Sequence, residues 1–144
     1  PRGATGPEGP VGPTASRSVA SGSAVDVSSS ATVIDLSSGP LAVPFPGRVM
    51  ATATVQLRNP SGAPREGRCR LQILDTLDPQ AVTSDMSQTY AADLPGDTGF
   101  DTTVTVSGAA SKPAGTYNVS LVCAEDSSDS LSAERANLQV WAAG

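Results

Sequence analysis

The chain contains two cysteines, and the first question is whether they form a disulfide or remain thiols. Cys69 stands in EGRCRLQILD and Cys123 in GTYNVSLVCAED, and the 144 residues contain no histidine. Two cysteines without histidine cannot build a zinc site from Cys and His ligands. The alternatives are a disulfide and two buried thiols that behave as small apolar side chains. The bond would close a loop of about 54 residues and stabilise the fold by roughly 4 kcal/mol. We expect the disulfide, because the beginning of the chain, described below, indicates an extracellular protein.

Acidic side chains in the loops form a second group with potential chemistry. Their carboxylates are hard oxygen ligands of the kind that calcium prefers. No EF-hand or other ligand spacing connects them, so we interpret them as solvated turn residues and expect neither a metal ion nor a cofactor. The residues are Asp93, Asp97, Asp101, Glu125, Asp126 and Asp129.

Nothing in the sequence supports catalysis. The absence of histidine removes the commonest general base. Serine is abundant, but there is no GxSxG or Ser-x-x-Lys motif, and the single lysine, Lys112, stands beside Pro113. Carboxylate pairs could serve a glycosidase, but no feature of the sequence gives them a cleft. The sequon Asn118-Val119-Ser120 lies in a predicted strand, and chance explains it better than glycosylation. We therefore expect a protein that is not an enzyme.

Composition excludes two further classes of protein. The formal net charge is −5, whereas nucleic-acid binding usually needs a basic face. No apolar run approaches the length of a membrane-spanning helix. Neither nucleic acid nor membrane insertion is expected.

Glycine recurs at every third position of the first 14 residues, PRGATGPEGPVGPT, at Gly3, Gly6, Gly9 and Gly12. This period is typical of the collagen triple helix, because only a residue without a Cβ fits at the crowded axis of three polyproline-type chains. Proline follows three of the four glycines and pre-sets its backbone angle. A flexible Gly/Pro linker is the alternative. We interpret residues 1–14 as a collagen-like segment.

The elements that would position these residues are strands. Residues 15–23 are rich in small side chains and are predicted to be a linker, and residues 24–144 are predicted to form one domain. Short apolar alternations of period two are separated by Pro- and Gly-rich turns, and no segment has a convincing helical period. The sequence therefore predicts an all-β antiparallel sandwich of jelly-roll type. Val104 and Val106 are strong strand formers. The residues that the alternation places on one apolar or inward face are Val49, Ala51, Ala53, Val55, Leu57, Cys69, Leu71, Ile73, Tyr117, Val119, Leu121 and Cys123.

The last predicted strand, ANLQVWAAG, raises a separate question. Its alternation places Ala136, Leu138, Val140 and Ala142 on one face and Trp141 on the other. If the first set faces the core, Trp141 points outward, although burying so large an aromatic ring is worth a few kcal/mol, of order 3. We predict that Trp141 packs against a neighbouring subunit. The alternative is a β-bulge that shifts the register and returns Trp141 to the core.

The glycine triplets together with FPGRVMATATVQLRN, GRCRLQI, GTYNVSLVC and ANLQVWA resemble bacterial or phage collagen-like proteins, in which a β-sandwich caps the stalk. The architecture is similar to the complement-type and tumour-necrosis-factor-like trimeric heads. The resemblance implies an extracellular, cell-surface or virion-surface homotrimer whose head sets chain register and nucleates the triple helix. The alternative is an adhesin or virion module that binds a host glycan or protein. An exposed aromatic patch away from the threefold axis would favour that alternative, with Tyr90, Phe100 and Trp141 as candidates.

Overall fold

The protein is an antiparallel β-sandwich. The computed structural model describes residues 3–7, 15–21, 23–27, 32–96, 100–125 and 131–143, with backbone alone for 32–35 and 100, and contains no helix within these ranges. Eleven strands are described: β1 (Ala15–Ala20), β2 (Val25–Val27), β3 (Thr32–Ser37), β4 (Leu41–Val43), β5 (Gly47–Asn59), β6 (Arg65–Asp75), β7 (Ser84–Asp85), β8 (Tyr90–Leu94), β9 (Phe100–Lys112), β10 (Gly115–Glu125) and β11 (Leu131–Ala143).

The strands form two sheets that face each other. The first sheet has the order β1-β11-β5-β9, and β2 pairs with the far end of β11. The second sheet has the order β3-β10-β6-β7, with β4 also on β10 and β8 also on β6. From β5 onward the chain passes repeatedly from one sheet to the other, and all pairings are antiparallel. This arrangement is of jelly-roll type, as the sequence predicts.

The core lies between the sheets and follows the predicted alternation. Along β5, every second residue from Val49 to Leu57 is buried. Along β6, Cys69, Leu71 and Ile73 are at most 1% exposed. Every residue that the sequence analysis assigns to the core is buried. Most of these side chains are Ala, Val and Leu, so the core is built from many small contacts and few large rings.

The predicted linker at 15–23 is wrong for most of its length. Residues 15–20 form β1, which pairs with β11 over its whole length, from Ala15 opposite Ala142 to Ala20 opposite Asn137. Ala15 and Val19 are half-buried and pack against the core. The small side chains of this segment are typical of a linker, but the segment forms a strand because its backbone pairs with β11. The sandwich therefore begins at residue 15 and not at residue 24.

The connection between β6 and β8 bridges the two sheets at one side of the sandwich. The backbone N–H of Met86 donates to the carbonyl of Leu71 in the second sheet, and the Met86 carbonyl accepts from Ala109 in the first. The Met86 side chain is 6% exposed. A Cβ on Gly108 would lie 2.3 Å from the Met86 carbonyl oxygen, so this approach requires glycine.

Candidate functional site

Cys69 and Cys123 form the predicted disulfide. The two residues are directly opposite each other on β6 and β10, with Cα atoms 4.1 Å apart, so the bond joins neighbouring strands of the second sheet. Both side chains are buried in the core. The pair is structural, and it offers no accessible thiol for chemistry.

Trp141 lies on the outer face of the first sheet. A bulge interrupts the β11–β5 register between Glu134 and Asn137, and within it Arg135 has a φ of 47°. Upstream of the bulge Leu131 and Ala133 face the core, and downstream the even-numbered residues do so. The sequence alternative, in which a bulge returns Trp141 to the core, is wrong, because the bulge precedes the final alternation and leaves Trp141 outside.

Around Trp141 the outer face contains two grooves that are lined by apolar, hydroxyl and two basic side chains. In one row across the sheet, Ser16, Trp141, Met50 and Ala109 stand opposite one another on β1, β11, β5 and β9. A shallow groove of about 370 Å³ lies along this row, and a larger one of about 760 Å³ adjoins it at Met50. We call the two together the Trp141 groove. Its lining includes Pro46, Arg48, Met50, Ser107, Gly108, Ala109, Lys112, Pro113, Trp141 and Ala143.

The centre of this face has no charged side chains among the described residues. Opposite partners there are Thr52 with Ser107 and Thr54 with Thr105, and the first pair shares a hydrogen bond of 3.0 Å. The outer face of the second sheet differs. There Arg68 pairs with Glu66, and Arg70 donates to Asp85 at 3.0 Å. The two outer faces therefore differ at their centres: the first sheet has small uncharged side chains there, with Arg48 toward one end and Arg58 beside Asp101 at the other, whereas the second sheet carries ion pairs.

The first strand of the sandwich begins beside the Trp141 groove. Gly3 and Gly6 have no atom within 4 Å of an added Cβ, so the described part of the glycine-periodic segment makes no close contact with the sandwich at those positions. Gly9 and Gly12 lie outside the described residues. β1 begins at Ala15, opposite Ala142, and the next residue, Ser16, is opposite Trp141. The start of β1 and the Trp141 groove thus share one end of the first sheet.

The acidic residues that the structure describes do not come together at one site. Asp101 lies 3.9 Å from Arg58 and accepts from Gln56 at 3.1 Å. Glu125 is buried and lies 3.8 Å from Arg65, so the prediction of a solvated turn residue is wrong for Glu125. Among the described residues no three His, Cys, Asp or Glu side chains are placed to hold a metal ion. Asp97, Asp126 and Asp129 lie outside the described residues.

Four large apolar side chains of the described residues are exposed: Phe45, Leu77, Val82 and Tyr90. Of these four, only Tyr90 is a candidate predicted from the sequence. The side chain of Phe100, another candidate, lies outside the described residues. The sequence signal for Phe45 is its place between two prolines in VPFPG, which predicts a surface turn. Lys112 has its ammonium 5.8 Å from the ring centre of Tyr117, and Asn118 is half-buried within β10. Neither belongs to a catalytic arrangement among the described side chains.

No helix in the described ranges has the length and apolar character needed to cross a bilayer.

Comparison with known proteins supports the fold. No protein-family model matches the chain, and no curated protein matches it in sequence. The structure of Eiger TNF from S. frugiperda superposes with a TM-score of 0.50 at 12% identity, over 92% of this chain and 94% of that one. A chain in the structure of infectious bursal disease virus, Gx strain, superposes with a TM-score of 0.50 at 11% identity, over 100% of this chain and 38% of the viral one. The likeness concerns the jelly-roll sandwich alone.

Proposed function

We propose that the sandwich is the trimeric head of an extracellular collagen-like protein, and that it sets the register of three chains and nucleates their triple helix. The observation that carries this proposal is the position of β1. The strand begins at Ala15, three residues after the last periodic glycine, and its second residue lies opposite Trp141. The proposal assigns no catalytic role and no cofactor to the chain.

The short connection constrains the position of the head. Three residues span at most about 10 Å, so the three Ala15 residues of a trimer must lie close to the axis of the triple helix. The surface nearest to Ala15 is then also near the axis. On the outer face of the first sheet that surface starts with Ser16 and Trp141 and continues to Met50 on the next strand, beside an uncharged centre of Ser and Thr. Aromatic and Met side chains are enriched in subunit interfaces and charges are depleted at their cores, which fits this face.

A head that assembles first would solve the nucleation problem of the stalk. Three separate chains must meet before any interchain hydrogen bond of a triple helix forms, and a few triplets do not offset that ordering cost. Chains already tethered in one trimer have an effective concentration in the millimolar range, of order 1 mM. The disulfide fits an extracellular protein on a cell or virion surface.

Sedimentation equilibrium of the full chain tests the proposal. We expect the mass of three 14.4-kDa chains at micromolar protein concentration. The trimer should persist at a temperature at which the circular dichroism signal of the triple helix is lost, because the head and not the stalk holds the chains. A monomer across the accessible concentration range would overturn the proposal.

A second candidate function is recognition of a host surface glycan or protein. One observation favours it: the connection from β6 to β8 carries Leu77, Val82 and the first residue of β8, Tyr90, which are 70%, 87% and 41% exposed. Asp75 and Asp78 accept from the backbone N–H groups of Leu77 and Gln80, so the loop is locally ordered. Replacing all three exposed residues by Ser would abolish binding on a glycan array or to host cells and leave the oligomeric state unchanged. Unchanged binding would remove this candidate.

A further inference from the structure

The aromatic side chains of this protein lie mainly at its surface. The whole chain has five aromatic residues, and among the four whose side chains are described only Tyr117 is in the core, at 2% exposure. Phe45 is 66% exposed, and Trp141 is half-buried. Burial of a Phe ring is worth more than that of almost any side chain in the core, which is built from Ala, Val and Leu. A solvent-exposed Phe next to a groove lined by Pro46, Met50 and Trp141 therefore suggests a partner surface.

The backbone presents Phe45 with little freedom. It lies between Pro44 and Pro46 in the connection from β4 to β5. Proline fixes its own φ and restricts the residue before it, so Pro44 and Phe45 have few conformations to lose on binding. A residue held in this way loses less conformational entropy when it binds to a neighbouring surface.

The Trp141 groove has the size and lining that a phenyl ring requires. The indole of Trp141 and the side chain of Met50 lie along it, and on the other side of Met50 the small residues Gly108 and Ala109 form its floor on β9. Met is a flexible thioether that adapts its shape and makes favourable contacts with aromatic rings. At 66% exposure, Phe45 does not fill the groove of its own chain, although the adjacent Pro46 lines it.

We infer that Phe45 of one copy inserts into the Trp141 groove of a second copy. The contact is heterologous, since it joins two different surfaces, and three such contacts around one axis close a ring. Both surfaces lie at the end of the sheet where β1 begins, which is where the three copies must meet. The inference rests on the proposed trimeric head and names the contact that specifies its threefold closure.

One test compares Phe45→Ala with Leu77→Ala. Leu77 is a matched control, because it is 70% exposed on another loop. Phe45→Ala should raise the protein concentration at which half of the chain is trimeric by at least tenfold, whereas Leu77→Ala leaves it unchanged. The double variant Phe45→Ala/Trp141→Ala should weaken the trimer by less than the product of the single effects, because the two residues share one contact. Equal effects of Phe45→Ala and Leu77→Ala would overturn the inference.

Cysteine cross-linking tests the same contact without depending on stability. The variant Phe45→Cys/Ala109→Cys places one thiol on the loop and one in the groove, while the native cysteines remain in their buried disulfide. Under mild oxidation it should form covalent dimers and trimers on a non-reducing gel, and each single variant should not. A chain that sediments as a trimer but gives no cross-linked ladder would overturn this inference and leave the proposed function standing. A wild-type monomer would overturn both.

Discussion

Trp141 of β11 stands directly opposite Met50 of β5, and both side chains point away from the core of the sandwich. The relationship depends on the bulge between Glu134 and Asn137, which sets the alternation of the last strand. The bulge thereby places the only tryptophan of the chain on the outer face of the first sheet. This face also contains a groove, and its centre has no charged side chains among the described residues.

Trp141→Ala should shift the chain from trimer to monomer, because the indole supplies apolar area to the subunit contact and little to the core. Loss of a large aromatic anchor costs about 2 kcal/mol or more per interface. Sedimentation velocity should show the monomer, and far-UV circular dichroism should show the strand content retained. Gln139→Ala, on the same face and two residues away, is the control and should leave the trimer intact. Unfolding of Trp141→Ala at every protein concentration would instead assign Trp141 a structural role within one subunit.

Gly9→Ala should fray the collagen-like segment. A methyl group at this position would lie at the crowded axis of the proposed triple helix. Amide hydrogen exchange should become faster in residues 3–14, while sedimentation still reports a trimer. Glu8→Ala changes the neighbouring position, which faces outward in a triple helix, and should leave exchange unchanged. If Gly9→Ala converted the chain to a monomer, the stalk would be holding the head together and the proposed order of assembly would be reversed.

Removal of the disulfide by Cys69→Ala/Cys123→Ala should lower the free energy of unfolding by roughly 4 kcal/mol, from the loop-closure entropy of the unfolded chain. Since both side chains are buried, the small cavities left behind add to the loss. Urea denaturation of the wild-type and variant proteins, with and without reductant, gives the comparison. Reductant should destabilise only the wild type. An identical urea midpoint for the two proteins under oxidising conditions would contradict the prediction.

Asn59, which lies at the end of the sandwich opposite the start of β1, should contribute strongly to the free energy of unfolding. Its side chain is fully buried, and its amide donates to the carbonyls of Ala63 at 2.8 Å and Pro95 at 3.0 Å. Its Oδ1 accepts from the backbone N–H and hydroxyl of Ser61. Asn59→Ala leaves these groups without their partner and should cost about 2–4 kcal/mol in urea denaturation. Ser61→Ala, which removes only the hydroxyl, should cost about 1 kcal/mol; equal losses would refute this account.

Tyr117 should make the fold sensitive to alkaline pH. Burial raises the pKa of the Tyr117 phenol, and the nearby charge of Asp75 raises it further. Its hydroxyl also donates to the carbonyl of Pro113 at 3.0 Å. The folded state favours the protonated phenol, so this stabilisation is complete below the ordinary pKa of about 10 and is lost as the pH rises through the raised value. The urea midpoint should therefore hold up to about pH 9 and fall as the pH rises above about 10.

In Tyr117→Phe that decline should be smaller, although the variant loses a hydrogen bond worth about 1 kcal/mol at neutral pH. Tyr90→Phe is the control, because Tyr90 is 41% exposed, and it should decline as the wild type does. A decline of equal size in Tyr117→Phe would assign the alkaline sensitivity to another group.

The long central strands could be predicted from local sequence. In β5, β6 and β10 the apolar residues alternate strictly over many positions, and a one-residue slip would expose the entire set, so pattern and register reinforce each other. The same alternation places Cys69 and Cys123 on inward positions of two such strands, whereas the preference for a disulfide over two buried thiols depends on the extracellular character indicated by the glycine period.

The elements that the sequence did not reveal depend on distant partners. β1 consists of small side chains and becomes a strand through its ladder with β11. The bulge at Arg135 allows both halves of β11 to pack against one core, and the local sequence alone does not indicate it. The groove beside Trp141 arises where three strands and the Phe45 loop meet, and neither Met50 nor Phe45 has a local pattern that distinguishes it from an ordinary surface residue.

The pairing of β1 with β11 also has a consequence for the order of biosynthesis. The first strand of the sandwich is completed by β11, so β1 remains without its partner until β11 has left the ribosome. Such a long-range pairing is slow, because loop-closure entropy is lost before the contact is gained. We therefore expect the glycine-periodic segment to emerge unfolded and the head to fold only after β11 has been synthesised. The proposed triple helix would then propagate from the C-terminal end of this segment toward the N-terminus, against the direction of translation.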